Sequence, residues 1–279
     1  MKILVPTDFS PCAEVAYAVA AQMARDRGAE LHLLHGMASE LVFDAARPEG
    51  AALAALAAEA QDLADRQLAA AAALPVFDGV RPHTVLGQGA LVEMIRAYVV
   101  EHQVELMVMG SHGASGTHEM FIGSNTQKVV RQVPCAVLVV KTPPRTMAFR
   151  NVVFASSFED EAWPVFHELL EFVQPYDAHV HLLHIVRPGF FREDLAVLRE
   201  AMDEFAARCP RGHSSRHLFH ADSLEGGIHT FLGAVHADLL CVAHYGREPL
   251  RRLFQYSLTE ALVNHLDIPV LCLHGKRLD

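Results

Sequence analysis

Short apolar runs rich in Val, Ile and Leu alternate along the chain with longer segments whose apolar residues recur at helical spacing. A continuous apolar run of strand length needs cover on both faces, so this alternation predicts βαβ units with a parallel sheet between helices. In the first half the pattern predicts strands near 2–6, 30–36, 80–86, 104–109 and 135–140. The intervening helices are expected at about 11–27, 51–73, 89–102 and 123–132. Ser10 can accept from the free N–H groups of the first helix, Pro11 stands where a missing N–H costs nothing, and Gly28 ends that helix. The second helix is mostly alanine, with Leu53, Leu56, Leu63 and Leu68 near one face, a thin apolar stripe on a backbone of high helical propensity.

The same pattern then runs a second time. Residues 2–10, Lys-Ile-Leu-Val-Pro-Thr-Asp-Phe-Ser, line up with 151–159, Asn-Val-Val-Phe-Ala-Ser-Ser-Phe-Glu. Leu-His-Leu-Leu-His-Gly-Met at 31–37 aligns with Val-His-Leu-Leu-His-Ile-Val at 180–186 at the same offset. Further matches join 105–113 to 238–246 and 133–140 to 268–275, in unbroken order. Between the copies, Lys-Thr-Pro-Pro-Arg-Thr at 141–146 opposes both helix and central strand, as a linker does. Two domains are therefore expected, 1–143 and 149–279, each an open five-stranded parallel sheet.

Composition narrows the function classes. Hydrophobic residues make up 51% of the 279-residue chain, enough to fill two cores. A formal net charge of −10 supplies no general attraction to nucleic acid or to an anionic membrane. The amino terminus shows no secretory leader, and no apolar run reaches the roughly 18 residues of a membrane span, so a cytoplasmic address is expected. Cys12, Cys135, Cys209, Cys241 and Cys272 lack CxxC spacing and read as small buried hydrophobes in a reducing compartment.

The densest chemical signal follows the fourth strand: Met109, Gly110, Gly113 and Gly116, then Gly123 and Ser124 at the start of a helix. In open parallel sheets ligands bind beyond the carboxyl ends of the strands. Glycines let backbone amides approach an anion, and the helix start adds unpaired N–H groups and a favourable dipole. The competing reading is that these glycines only supply turn geometry. Asp8, just past the first strand, has two readings as well: acceptor for ribose hydroxyls or an adenine amino group, or a helix-start group beside Ser10.

The spacing Gly110-x2-Gly113-x9-Gly123-Ser124 resembles the nucleotide-binding signature of the universal stress protein family. Val-Pro-Thr-Asp-Phe-Ser at 5–10, Leu-Leu-His at 33–35 and Pro134 before the last strand extend the resemblance, which covers nearly the whole chain twice. It implies a tandem member with the Rossmann-like, adenine nucleotide alpha hydrolase-like fold and a stress-response or regulatory role through ATP, ADP or AMP. By that resemblance Pro6, Thr7 and Asp8 border the adenosine and Gly36 offers backbone groups to the base. Met109 and Gly110 line the ribose, while Gly113, Gly123, Ser124 and Asn125 hold the phosphates, with Mg2+ accompanying ATP. The family loop often carries basic residues, whereas here it reads Thr-His-Glu-Met-Phe-Ile at 117–122, and Glu119 favours AMP or ADP over a tightly held triphosphate.

The second copy departs from the signature. Asp8 aligns with Ser157, Gly110 with Ala243 and Gly123 with Tyr256, while Gly246 and Ser257 are kept. One nucleotide site is expected, in the first domain, with Tyr256 obstructing its counterpart; Arg247, Arg251 and Arg252 read as a solvated basic face. Twelve of the 18 histidines lie in the second half. His179 and His181 share a strand face, as do His213 and His217; such pairs bind zinc only if a third ligand comes near, and ordinary core or surface roles are expected, with no metal site.

No nucleophile and base stand together, so the expected function is binding, with at most slow ATP hydrolysis; a true ATPase would have to rely on Asp8 and Glu119. The remaining alternative is a nucleotide-free interaction scaffold. Pairing of the two domains through their last strands, 137–140 and 271–274, is expected in either case, since exposed apolar edges invite it. A homodimer and an unidentified regulatory protein partner complete the expectations.

Overall fold

The computed structural model describes residues 1–37, 50–111, 123–188, 194–244 and 249–274. Among the described residues each sequence copy supplies five strands and four α-helices. The first contributes β1 (Lys2–Thr7), α1 (Pro11–Arg27), β2 (Glu30–Met37), α2 (Gly50–Ala72), β3 (His83–Gln88), α3 (Leu91–His102), β4 (Leu106–Gly110), α4 (Ser124–Gln132) and β5 (Ala136–Val140). The second contributes β6 (Asn151–Ala155), α5 (Trp163–Val173), β7 (His179–Val186), α6 (Leu195–Ala206), β8 (Ser214–His220), α7 (Leu224–Ala234), β9 (Leu239–His244), α8 (Pro249–His265) and β10 (Val270–His274). The first copy's bounds fall within a few residues of the predicted ones.

The chain divides into two compact units, one of described residues 1–111 and 123–135, the other from residue 136 onward. In the first unit the strands run in the order β3-β2-β1-β4. β1 pairs in parallel with β2, from Lys2↔Glu30 to Thr7↔His35, and with β4 on its other side. The chain thus moves outward from β1 to β3 and then returns across to β4, so the winding reverses between β1 and β4. α1 packs on β1 and β4, while α3 packs against α4. Ile3, Leu4, Val5, Leu33, Met107 and Val108 are fully buried, as central parallel strands covered on both faces must be.

The second unit repeats the plan in the order β10-β9-β6-β7-β8, all parallel. β5 joins it antiparallel to β10, with Val139 opposite Val270 and Val137 opposite Cys272. The last strands of the two copies therefore pair, and neither is left as a bare apolar edge on that side. An aromatic cluster of Phe154, Phe158, Phe166 and Phe205 forms much of this core, with Trp163 stacked on Phe205 at 3.6 Å.

Strand starts are anchored alike in both copies: Glu105 accepts from Lys2 N–H at 3.0 Å, and Asp238 from Asn151 N–H at 2.9 Å. None of the five cysteines is in a disulfide. Burial pushes the Cys272 thiol up to about 12 and raises Cys209 and Cys241 as well, so these three stay protonated as apolar filling. No helix among the described residues is long and apolar enough to cross a membrane.

Candidate functional site

The winding reverses between β1 and β4, the place where open parallel sheets form a ligand crevice beyond the carboxyl ends of their strands, and most of the sequence-predicted site residues lie at those ends or at the start of α4. Pro6 and Thr7 end β1, and Asp8 follows, exposed. Phe9 then adopts a left-handed conformation, φ 61°, which turns the chain sharply into α1. Three local bonds hold this turn. Phe9 N–H donates to Thr7 Oγ1 at 2.9 Å, Ser10 N–H donates to an Asp8 carboxylate oxygen at 3.1 Å, and Ala13 N–H donates to Ser10 Oγ at 3.2 Å. Ser10 is thus the helix cap, as its residue type and Pro11 predict. Asp8 serves the turn as well, which gives the helix-start reading a concrete bond while its carboxylate still faces solvent.

Beneath the turn, Thr7 Oγ1 is hydrogen-bonded to the Tyr17 hydroxyl. Burial raises the Tyr17 pKa, so the phenol remains protonated. His35, near the end of β2, donates from Nδ1 to the Thr7 carbonyl at 2.8 Å and packs against Phe9 with ring centroids 4.5 Å apart. A carbonyl only accepts, so this bond fixes the proton on Nδ1. The second copy builds the same turn: Phe158 is left-handed at φ 57°, its N–H donates to Ser156 Oγ, and His184 Nδ1 donates to the Ser156 carbonyl at 3.0 Å. The Leu-Leu-His repeat and the shared phenylalanine carried this information; a role for either in shaping the turn is not readable from spacing.

Gly36 lies one residue beyond the last β1–β2 pair and opposite Gly87 of β3. A Cβ at Gly36 would stand 2.7 Å from Met94 Cε, so the missing side chain is also the notch into which Met94 of α3 packs. Met109 and Gly110 end β4, both buried. Gly110 has a firm steric reason to be glycine, since a Cβ there would lie 2.8 Å from the Cys12 carbonyl oxygen in the first turn of α1. That turn therefore presses directly on the end of β4.

Across the crevice, Gly123 N–H donates to the Ser111 carbonyl at 2.8 Å and Gly123 caps α4 without a side-chain hydrogen bond. Ser124 and Asn125 follow in the first turn, exposed. Buried Thr126 donates from its hydroxyl to the Gly110 carbonyl at 3.2 Å and so pins the helix start to the end of β4. The N–H groups of a first helical turn have no intrahelical acceptors, and their dipole favours an anion. Thr126 escaped the sequence reading, though its counterpart Thr259 is equally buried. Gly113, with His112, Gly116 and Glu119, lies outside the described residues, as do Gly246 and Arg247.

The second unit differs in backbone as well as in side chains. α8 runs from Pro249 to His265, so Tyr256 and Ser257 fall inside a helix, not at its start. Their N–H groups are committed to the helix ladder, whereas those at the corresponding positions 123 and 124 precede or open one.

The universal stress protein family profile matches residues 1–141 and again 148–274. Universal stress protein YxiE of Bacillus subtilis is 30% identical over 146 residues, covering 50% of this chain and 98% of that protein. A universal stress protein of Thermus aquaticus is 38% identical over 61 residues, which is 22% of this chain and 44% of that protein, so the chain spans less than half the length of this relative. Among solved structures, a universal stress protein from Archaeoglobus fulgidus superposes over 100% of this chain and 97% of its own with a TM-score of 0.67, at 18% identity, a likeness of fold. The duplicated α/β unit, the paired turns at Phe9 and Phe158 and the two profile matches agree: the chain belongs to the universal stress protein family, as two tandem copies.

Proposed function

We propose that the first unit binds one adenine nucleotide, ATP, ADP or AMP, in the crevice between the ends of β1 and β4, and that occupancy regulates contacts with a protein partner. Pro6, Thr7, Asp8 and Gly36 border the adenosine, Met109 and Gly110 the ribose, and Gly113, Gly123, Ser124 and Asn125 the phosphates. The observation that carries this reading is the start of α4. Gly123 leaves it without a side-chain cap, Ser124 and Asn125 are exposed, and Thr126 ties it to the strand end beside Asp8's turn. A phosphate there gains amide donors already oriented toward it, each charge-assisted bond contributing roughly 1–3 kcal/mol.

The second unit is a degenerate partner, because the helix that would open at its phosphate position runs through it. The reading is a binding one. Asp8 is engaged by the Ser10 N–H, and no general base stands beside a nucleophile among the described residues of the crevice.

Calorimetric titration with ATP, ADP and AMP, followed by a product assay, tests the proposal. One site per chain is expected, abolished in Gly123→Tyr with the far-ultraviolet dichroism unchanged. Unaltered stoichiometry in that variant, or no heat at millimolar nucleotide, refutes it; turnover well above one per minute would establish an ATPase instead.

A further inference from the structure

Near the amino end of β2, at the other end of the strand from His35 and Gly36, a hydroxyl, an imidazole and a carboxylate stand in sequence. The His32 side chain is 6% exposed, and its two ring nitrogens have different partners. Nδ1 lies 2.6 Å from the Tyr98 hydroxyl of α3, and Nε2 lies 3.2 Å from a Glu30 carboxylate oxygen. Burial lowers the His32 pKa in spite of that carboxylate, and His83 of β3 and Lys2 of β1 act in the same direction as burial. The ring is therefore neutral near pH 7, the form in which an imidazole is a base.

A neutral imidazole carries one N–H, and an ionised carboxylate only accepts. The proton accordingly belongs on Nε2, beside Glu30, and Nδ1 is left with a bare lone pair. Tyr98 must then be the donor in its bond to Nδ1. Burial, with Glu30 and with Glu101 of the same helix, raises the Tyr98 pKa, so the phenol keeps the proton it donates. In this order of groups a weak nucleophile is served by an adjacent base, and the base is oriented by a third group. Tyr98 is partly exposed and packs on His102 one turn along α3, with ring centroids 4.1 Å apart, so the phenol lies within reach of a small reagent.

We propose that Tyr98 is a covalent modification site: its Oη attacks the carbonyl carbon of an uncharged activated acyl donor, an ester or thioester, with His32 Nδ1 as general base and Glu30 as the orienting group. In that step the bond from Oη to the acyl carbon forms while the phenolic proton passes to Nδ1. The bond from the acyl carbon to the leaving oxygen or sulfur breaks with its electron pair, and the imidazolium, stabilised by Glu30, gives its proton to the leaving group. No oxidation or reduction occurs, and an acyl ester of Tyr98 remains. Glu30 and Glu101 set the class of donor, because two carboxylates acting on the phenol repel an anionic phosphoryl group but not a neutral acyl carbonyl. The second unit has no such phenol, since α7 sets Phe231 against His181. Tyr98 and His32 are 66 residues apart in the chain, which is why no nucleophile and base stand together in the sequence.

The test is reaction of the intact protein with p-nitrophenyl acetate, the acetylated residue being located by peptide mass spectrometry. An acetyl group on Tyr98 is expected in wild type and none at that position in Tyr98→Phe, which keeps the ring. Glu30→Gln, a change on an exposed side chain, is expected to acetylate Tyr98 roughly 10-fold more slowly, and His32→Gln roughly 100-fold more slowly. The pH profile separates this chemistry from a hydrogen bond that only holds α3 on the sheet. An unassisted phenol reacts as its phenolate, so its rate climbs about tenfold per pH unit toward a pKa near 10. With a neutral His32 as base, the Tyr98 rate in wild type is expected to be level between about pH 7.5 and 9. A tenfold rise per unit over that interval overturns the proposal whether or not the His32 variant folds. Acetylation of Ser215 or of other residues without Tyr98 overturns it too, as does Tyr98 reacting as fast in Glu30→Gln and His32→Gln as in wild type.

Discussion

Acid is expected to destabilise the second unit through His181, and the geometry sets both the sign and the size. His179 Nε2, His181 Nδ1 and His217 Nε2 all lie within 3.0 Å of the Ser215 hydroxyl oxygen, and His181 Nδ1 is 3.3 Å from His217 Nε2. Phe231 of α7 packs on the His181 and His217 rings. Burial, reinforced by the neighbouring His179 and His217, lowers His181 from 6.5 to about 4, and burial lowers His217 too. A histidine depressed in the folded state is neutral there, while the unfolded chain takes up its proton below pH 6.5. The stabilisation is therefore complete above pH 6.5, is lost as pH falls from 6.5 toward 4, and changes no further below 4.

At 1.36 kcal/mol per pKa unit, the interval from 6.5 to about 4 sets a ceiling of about 3 kcal/mol. His181 is only half-buried, so solvent screening reduces the expected loss to about 1–2 kcal/mol. Trp163 is the chain's one tryptophan and, half-buried, stacks on Phe205 of the second unit, so its fluorescence reports unfolding of that unit. Urea denaturation of wild type and His181→Gln between pH 7.5 and 4.5 isolates the effect, because other titrating groups contribute to both proteins alike. The stability difference between the two should shrink by about 1–2 kcal/mol over that range. Parallel curves would refute the assignment of the neutral state to His181.

Three further outcomes follow from the crevice. Gly110→Ala places a methyl 2.8 Å from the Cys12 backbone oxygen and should destabilise the first unit by about 1–3 kcal/mol in chemical denaturation, with the Trp163 signal of the second unit unmoved. Ser10→Ala removes the acceptor for the Ala13 N–H and should cost about 1 kcal/mol by the same measurement. Thr126→Val keeps the shape but leaves the Gly110 carbonyl without its buried donor, which should cost about 1 kcal/mol and weaken nucleotide binding in calorimetry. Affinity equal to wild type would show that tying α4 to β4 does not shape the site.

The repeat, the elements and the capping of α1 were legible because they depend on neighbours close in sequence: apolar runs of strand length, helical spacing, and Ser10 with Pro11. The glycines at 110 and 123 were legible as a motif, but their reasons differ. At Gly110 the Cys12 backbone excludes a side chain, whereas Gly123 caps a helix, and chain spacing does not separate these causes. His35 and Thr126 went unassigned because each acts on a carbonyl from another strand, 28 and 16 residues away. Obstruction of the second phosphate position was expected from the Tyr256 side chain, yet it is the extent of α8 that commits the backbone there. For the histidines, strand parity names which residues share a face but not which residues of the next strand meet them, so the shared Ser215 hydroxyl between His179, His181 and His217 is visible only in the structure.

By itself, then, the sequence determined the two-fold repeat, the α/β class, the order of the elements and the position of the glycine signature, all written in local periodicity and in self-similarity. Only the tertiary structure decided that Thr7, His35 and Phe9 lock one turn, that Gly110 yields to α1, and that Glu30 reaches both His32 and His83. Each depends on parallel strands meeting in one register, Thr7 beside His35 and His32 beside His83, and register is set by how buried faces pack rather than by any local run of residues.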